Sequence, residues 1–429
     1  MKISAQLDVN VVAVDVDDEV TIMLDVEAPP PSADLLRPPA SLQIVLDRSG
    51  SMAGAPLDGA KSALIALVRQ LECTDNFGLV TFDDSAQVVV PAGPIDDKES
   101  VIDQIRRIAP GGTTDLSAGL LRGLREIKRV AKTGGTVLFV SDGHVNAGLR
   151  QIEDFDSVTG KAYSDGIVTS TLGYGDHYDE TLLAAIARAG SGNHVFASDP
   201  DAAGAAIAGE VEGLLSKSLQ AVTLTLVLEP AVQMARLYND LPSHELADRR
   251  IMIEIGDLYA HEKRRILLKL RVPAMSSLGA AKVATLELEY IELPGLIQHV
   301  ANLPIAVNIV PGAEVAQRFV HPVVESEKLF QEAQHSKKLA SEAFEQTQVA
   351  AAREHLLEAK AHLAHALELA PQESAHDIRQ EIGAVDRMSE MAAERSTQYM
   401  SKLSRSSYHA MNRKRGRVDS SDADESDGL

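Results

Sequence analysis

From about residue 41 to residue 215 the chain alternates continuous apolar runs with amphipathic stretches, and that rhythm admits few folds. Leu42-Gln43-Ile44-Val45-Leu46 reads as a buried strand, as do Phe77 to Phe82, Val137-Leu138-Phe139-Val140 and Ile167 to Leu172. Between them Leu57 to Leu71, Leu116 to Val130 and Leu182 to Ala189 read as helices, with Leu64, Leu67, Val68 and Leu71 on one stripe. Strands that are apolar on both faces need cover on both faces. Helices give that cover in a doubly wound, mainly parallel α/β sheet of Rossmann-like type.

The flanks follow another rule. Val12, Val14, Val16, Val20, Ile22, Leu24 and Val26 alternate with polar residues, so residues 2 to 29 predict half-buried strands, ended by Pro29-Pro30-Pro31 and Pro38-Pro39. Strands return without intervening helices at Val222 to Val227, Ile251 to Ile255, Ile266 to Val272, Ala284 to Glu292 and Leu303 to Ile309. We expect one β-sandwich built from both flanks, with the α/β domain inserted between them. Residues 312 to 410 are rich in Ala, Glu and Leu, with no proline between Pro322 and Pro371. They predict two or more long helices. Ala351 to Pro371 has a tetratricopeptide flavour, but one such unit cannot stack, and a helical hairpin is the plainer reading. The expected division is 1–40 (strands and linker, part of the sandwich), 41–216 (α/β), 217–311 (sandwich), 312–415 (helical) and 416–429 (a disordered acidic tail).

Composition narrows the function. The net charge of −21 repels nucleic acid and anionic membranes, and aromatics at 4% with no Trp leave little for a stacking groove. The basic run Arg413-Lys414-Arg415-Gly416-Arg417 is screened by the acidic residues that follow. A single cysteine, Cys73, excludes an intrachain disulfide and a cysteine-rich zinc site, and it reads as a small buried residue. No signal-like start and no apolar run near the roughly 20 residues of a bilayer span are present, so a cytoplasmic protein is expected.

The chemistry concentrates where strands end. Asp47 closes the first buried strand of the α/β region, and Ser49 and Ser51 follow at spacing two around Gly50. Asp142 follows the strand Val137 to Val140, and Thr114 stands in Gly111-Gly112-Thr113-Thr114-Asp115 before a helix. In an open α/β sheet, ligands bind beyond the carboxyl ends of the strands. Hydroxyl and carboxylate oxygens suit a hard divalent cation, magnesium before manganese or calcium. Two carboxylates roughly neutralise such an ion and leave it an open coordination place for a partner's acid group. Any one of these pieces alone is a turn with a helix cap. Their order along the chain makes a metal site.

Leu42 to Met52, Gly111 to Leu120 and Val140 to Gly143 resemble the metal-ion-dependent adhesion site of von Willebrand factor A domains, and the resemblance runs through residues 41–216. It implies that Ser49 and Ser51 are direct hydroxyl ligands and that Thr114 is the threonine that coordinates in the ligand-bound form. Asp47 and Asp142 correspond to the carboxylates, often acting through water. Thr114 is preferred to Thr113 because the family threonine precedes Asn or Asp and a large apolar residue, as Asp115-Leu116 does. Ile255-Gly256-Asp257-Leu258-Tyr259-Ala260-His261-Glu262-Lys263-Arg264 resembles the β domain that follows the A domain in bacterial proteins and in plant RING-finger proteins. There is no RING here, so ligase activity is not implied, and Gly256-Asp257-Leu258-Tyr259 also reads as a tight turn.

The expectation is a metal-dependent protein-binding module and not an enzyme. Arg48, Tyr174, Asp176 and His177 are candidate partner contacts near the site rim, with Tyr178 and Asp179 beside them and helix capping as the alternative role. Two other functions stay open. One is an accessory partner of a separate AAA+ ATPase, since the chain has no nucleotide-binding loop of its own. The other is a magnesium-dependent phosphatase with Asp47 as nucleophile. Ser49 stands where such a phosphatase would need a second Asp. His355, His362 and His365 share one helical stretch and read as exposed helix surface.

Overall fold

The computed structural model describes residues 1–30, 39–132, 134–143, 147–149, 151–175, 178–197, 202–204, 206–209, 216–315 and 318–413. The chain divides into two compact units: residues 31–217 with 293–295, and residues 1–30, 218–292 and 296–429. Asp176, His177 and the acidic tail lie outside the described residues.

The α/β unit is one sheet. Its strands are β4 (Ser41–Asp47), β5 (Asn76–Phe82), β6 (Ala86–Pro94), β7 (Gly135–Ser141), β8 (Ile167–Tyr174) and β9 (Ser191–Ala197), numbered after the three strands of the amino-terminal flank described below. Their spatial order is β6-β5-β4-β7-β8-β9. All pairings are parallel except β5 with β6. Strand faces sort by parity. Leu42, Ile44, Leu46, Leu79 and Val140 pack in one core with α1 (Ala55–Gln70) and α2 (Lys98–Arg106). Val45, Val80, Phe82, Val137 and Phe139 pack in the other with α3 (Leu116–Lys128), α4 (Ile152–Ser164) and α5 (Glu180–Ala189). This two-sided burial is why these strands read as unbroken apolar runs. Asp97, Asp115 and Asp179 cap α2, α3 and α5 through their carboxylates.

The second unit holds the sandwich. The amino-terminal strands are β1 (Lys2–Leu7), β2 (Val11–Ala13) and β3 (Asp18–Glu27). After the inserted unit come β10 (Lys217–Leu228), β11 (Gln233–Leu237), β12 (Ser243–Leu246), β13 (Arg250–Tyr259), β14 (Lys263–Val272), β15 (Gly279–Glu292) and β16 (Ile297–Val310). One sheet has the order β1-β3-β14-β11 and the other β12-β13-β10-β15-β16-β2. β3 lies inside its sheet, antiparallel to β14 (Lys263–Val272) from Val272↔Asp18 to Lys263↔Glu27. Strands from both ends of the inserted domain thus share a sheet. Val20, Ile22, Leu24 and Val26 meet Leu224, Leu226, Ile253, Leu286 and Leu288 in the core.

The sequence Ile255 to Arg264 is explained by one buried cation. Residues 256–259 belong to β13 (Arg250–Tyr259), and the turn falls after them, so the tight-turn reading of Gly256-Asp257-Leu258-Tyr259 is corrected. Gly256 adopts φ +87°, which a side chain would resist. Arg264, 2% exposed, donates to Glu262 (2.7 Å), to the Asp257 carbonyl (2.8 Å) and to the Ile255 carbonyl. Glu262 also accepts from the Tyr259 N–H (2.8 Å), and Asp257 accepts from the Ala221 N–H on β10 (3.0 Å).

Among the described residues a short helix, Gly312–Val315, follows, and then four longer ones, Pro322–Glu345, Val349–Leu369, Gln372–Met391 and Thr397–Arg413. The first two of these four form a hairpin, and the other two pack on it around Phe330, Phe344, Leu356, Leu363 and Val385. Met23, Leu267 and Tyr238 on the outer face of the first sheet pack against Val324, so this sheet is covered on both sides. Asn412 donates to the Tyr238 carbonyl (3.0 Å) and to Gln331 (2.9 Å), which ties the last helix to the same place. Among the described residues, no helix is long and apolar enough to cross a membrane.

Candidate metal centre

The order of the α/β sheet reverses at β4 and β7, which are neighbours though distant in sequence. Asp47 ends β4, Ser141 ends β7 and Asp142 follows it, so both carboxylates stand where the sheet opens a crevice. After β4 the chain turns through a 3₁₀ turn, Gly50–Met52, into α1. The loop after β5 and the loop before α3 complete the crevice. Backbone hydrogen bonds stitch these loops together: Arg48 N–H to the Phe82 carbonyl (2.9 Å), Gly111 N–H to that of Arg48 (2.6 Å), Gly50 N–H to that of Gly112 (3.0 Å) and Asp115 N–H to that of Asp83 (2.7 Å).

The oxygens converge. Asp47 is fully buried and accepts from the Ser49 N–H (2.7 Å) and from the Ser141 hydroxyl (2.6 Å). Ser49 Oγ lies 3.1 Å from Ser51 Oγ, and Ser51 Oγ donates to Asp142 Oδ1 at 2.8 Å. Thr114 is 2% exposed and turns inward, whereas Thr113 faces solvent. A Cβ on Gly143 would sit 3.1 Å from Thr114 Oγ1 and 3.7 Å from Ser51 Oγ, so this glycine keeps open the space between them. Burial pushes the Asp47 carboxyl above its usual range, against the hydrogen bonds from Ser141 and Ser49. Among the described residues no cationic side chain pairs with it.

Asp83 and Ser141 escaped the sequence reading. Asp83 pairs with Arg48 (2.8 Å) and accepts from the Ser85 N–H (3.1 Å). Burial alone would raise its carboxyl, but the Ser85 hydrogen bond and the Arg48 charge help to carry it below the ordinary range. The available signal was an acidic pair, Asp83-Asp84, directly after a buried strand. A methyl group on Gly111 would collide with the Asp83 carboxylate. Gly111→Ala is therefore expected to unseat Asp83 and loosen the stitched loops. A folded protein whose divalent-cation affinity falls about 10- to 100-fold by calorimetry is the predicted outcome.

The presumed rim is corrected in part. Arg48 is held by Asp83, so it is not a free solvated side chain. Tyr174 is 7% exposed and packs in the core, because the last residue of β8 still points into the α1 side of the sheet. Tyr178 is buried near His194, and Asp179 is the cap of α5. Cys73 is exposed, not buried: Leu71 and Asp75 take the inward positions and turn residues 72–74 outward. His355 pairs with Glu358 (3.0 Å), and among the described residues no three His, Cys, Asp or Glu side chains form a metal-holding group.

Residues 42–206 match the sequence pattern of the family described as von Willebrand factor type A domain. This segment is a von Willebrand factor type A domain. Such domains are commonly protein-interaction modules and often bind a divalent metal. The chain is 29% identical over 244 residues to the uncharacterized protein sll0103 of Synechocystis, covering 54% of this chain and 57% of that one. The matches thus span less than two thirds of the length of the curated relatives. Beyond the A domain, the whole fold has solved counterparts. A von Willebrand factor type A protein from Catenulispora acidiphila superposes with a TM-score of 0.70 at 16% identity, covering 91% of this chain and 89% of that one. The ArnB paralog VWA2 from Sulfolobus acidocaldarius gives 0.64 at 14% identity, covering 96% and 98%.

Proposed function

We propose that the A domain binds a divalent cation of magnesium's size and that this site takes a carboxylate from a partner protein. One observation carries the reading: Ser51 Oγ lies 3.1 Å from Ser49 Oγ and 2.8 Å from Asp142 Oδ1, and Thr114 Oγ1 and Ser51 Oγ both border the space that a Gly143 side chain would fill. Octahedral ligands about 2.1 Å from a magnesium ion are spaced by about 3.0 Å, whereas calcium would need a wider set. Ser49, Ser51 and Thr114 would hold the ion, with Asp47 and Asp142 supplying charge directly or through water. When bound, the ion supplies an electrophilic site for an acidic side chain.

The chain's own residues do the rest. Asp47 orients the serine loop through the Ser49 N–H, and Ser141 orients Asp47. The exposed rim holds small uncharged residues, Ser51, Ala53, Gly54, Gly111, Gly112 and Thr113, with the exposed Asp84 carboxylate beside Gly112. The role is binding and not catalysis: Ser49 occupies the position where a phosphoaspartate enzyme would place a second acid. A cytoplasmic setting fits a chain whose one cysteine is free.

Affinity capture from lysate with the full chain, in magnesium and in EDTA, tests the reading. A partner retained only in magnesium and lost with Ser51→Ala is expected. Capture that is the same in both buffers would contradict it.

A further inference from the structure

We propose that two copies of this chain pair through the free edge of β16 (Ile297–Val310). The strand is long, and only Asn308 to Val310 pair with β2 on its outer side. Among the described residues, 297–307 have no neighbour on that side. Sheet edges are normally blunted by charge, bulges or proline, and Pro304 is such a device on this edge, which leaves residues 297–303 open. Here residues 293–313 contain no Asp, Glu, Lys or Arg, in a chain of net charge −21. Leu296, Ile297 and Val300 are 49%, 56% and 57% exposed.

The backbone fixes which residues face the edge. Asn308 donates its N–H outward to the Asn10 carbonyl, so in a regular strand the even residues direct their N–H and C=O to the edge. These are Gln298, Val300, Asn302, Pro304 and Ala306. An antiparallel partner related by a two-fold axis at Val300 would place Val300 against its own copy, Ile297 against Leu303, Gln298 against Asn302 and His299 against Ala301. Apolar thus meets apolar, and amide meets amide. Val300, Gln298 and Asn302 would exchange N–H···O bonds, and Pro304, with no N–H, would end the pairing. His299 stacks on Tyr290 of β15 with ring centroids 5.0 Å apart, which stiffens the middle of the segment. Two chains that repel through their net charge meet along a strand with no acidic or basic residue of its own, beside Glu289 and the Arg250-paired Glu287 of β15.

The occupant is a second copy because the segment is complementary to itself. Sedimentation of the full chain in EDTA, which removes any cation-mediated association, reads the result. A dimer that dissociates with dilution is expected below about 100 μM. Val300→Lys sets two like charges face to face at the axis and should weaken it about 30-fold or more. Ala306→Lys, on the same edge but past Pro304, should leave it intact. Val300→Cys in a Cys73→Ser background should crosslink with a short bis-maleimide. A monomer at all concentrations, a dimer indifferent to Val300→Lys, or no crosslink at residue 300 overturns the proposal. None of these outcomes bears on the cation site.

Discussion

Asp47→Asn is expected to lower the affinity for magnesium by about 100-fold or more while leaving the protein, in chelator, at least as stable as before. The two effects share a cause. Asp47 is fully buried, and burial pushes its carboxyl up, so the ionised side chain costs stability unless a cation offsets it. Asparagine keeps the shape. Its Oδ1 can accept the Ser49 N–H as Asp47 does, and the Ser141 hydroxyl can turn to accept instead of donating. What is lost is half of the charge, shared with Asp142, that neutralises a 2+ ion. In the parent chain, magnesium at about 100 times its dissociation constant should add about 2.7 kcal/mol of stability. In the variant that increment should vanish. Thermal melts with magnesium and with EDTA, beside titration calorimetry, make the comparison. An unchanged magnesium affinity would remove Asp47 from the site.

Arg264→Met should cost about 3–5 kcal/mol in the unit that contains the sandwich. A typical domain has about 5–15 kcal/mol in all, so part of the population should be unfolded near body temperature. The guanidinium is one of the largest fully buried side chains, and it serves Glu262 and the carbonyls of Ile255 and Asp257 together. Methionine fills the volume but leaves a buried carboxylate with no cation and two carbonyls with a lost donor. Removing the orphaned charge as well, in Arg264→Met with Glu262→Leu, should return a substantial part of the loss. Urea denaturation followed by circular dichroism reads both. The α/β unit has its own core and should keep its own transition. A loss below about 1 kcal/mol would show that water or another donor replaces the arginine.

Much of the fold was legible because burial writes itself into periodicity. Leu42 to Leu46 and Val137 to Val140 are buried on both faces, and their apolar runs announce a covered sheet. Several of the missed elements have environments that break that rule. β6 is an edge strand with alternate exposure, β9 begins Ser191-Gly192-Asn193-His194, and α4 buries only Phe155, Thr159 and Ala162. Cys73 was misplaced because a small apolar residue next to a helix gives no sign of which way its loop turns.

The site divides along the same line. That Asp47, Ser49, Ser51, Thr114 and Asp142 share one crevice could be expected from the sequence, because each ends or follows a strand or precedes a helix in a recognisable local pattern. Asp83, the partner of Arg48, was not, since its role depends on a loop folding back against Gly111. The amino-acid order alone thus determined the layered α/β domain, its insertion between sandwich strands and the oxygen-bearing residues of its loops, because period and local turn chemistry are short-range properties. Only the tertiary structure decided that Arg48 is tied to Asp83, that Tyr174 is interior and that Arg264 is a buried clamp. Those facts depend on which distant segments share a surface, and no local spacing encodes that.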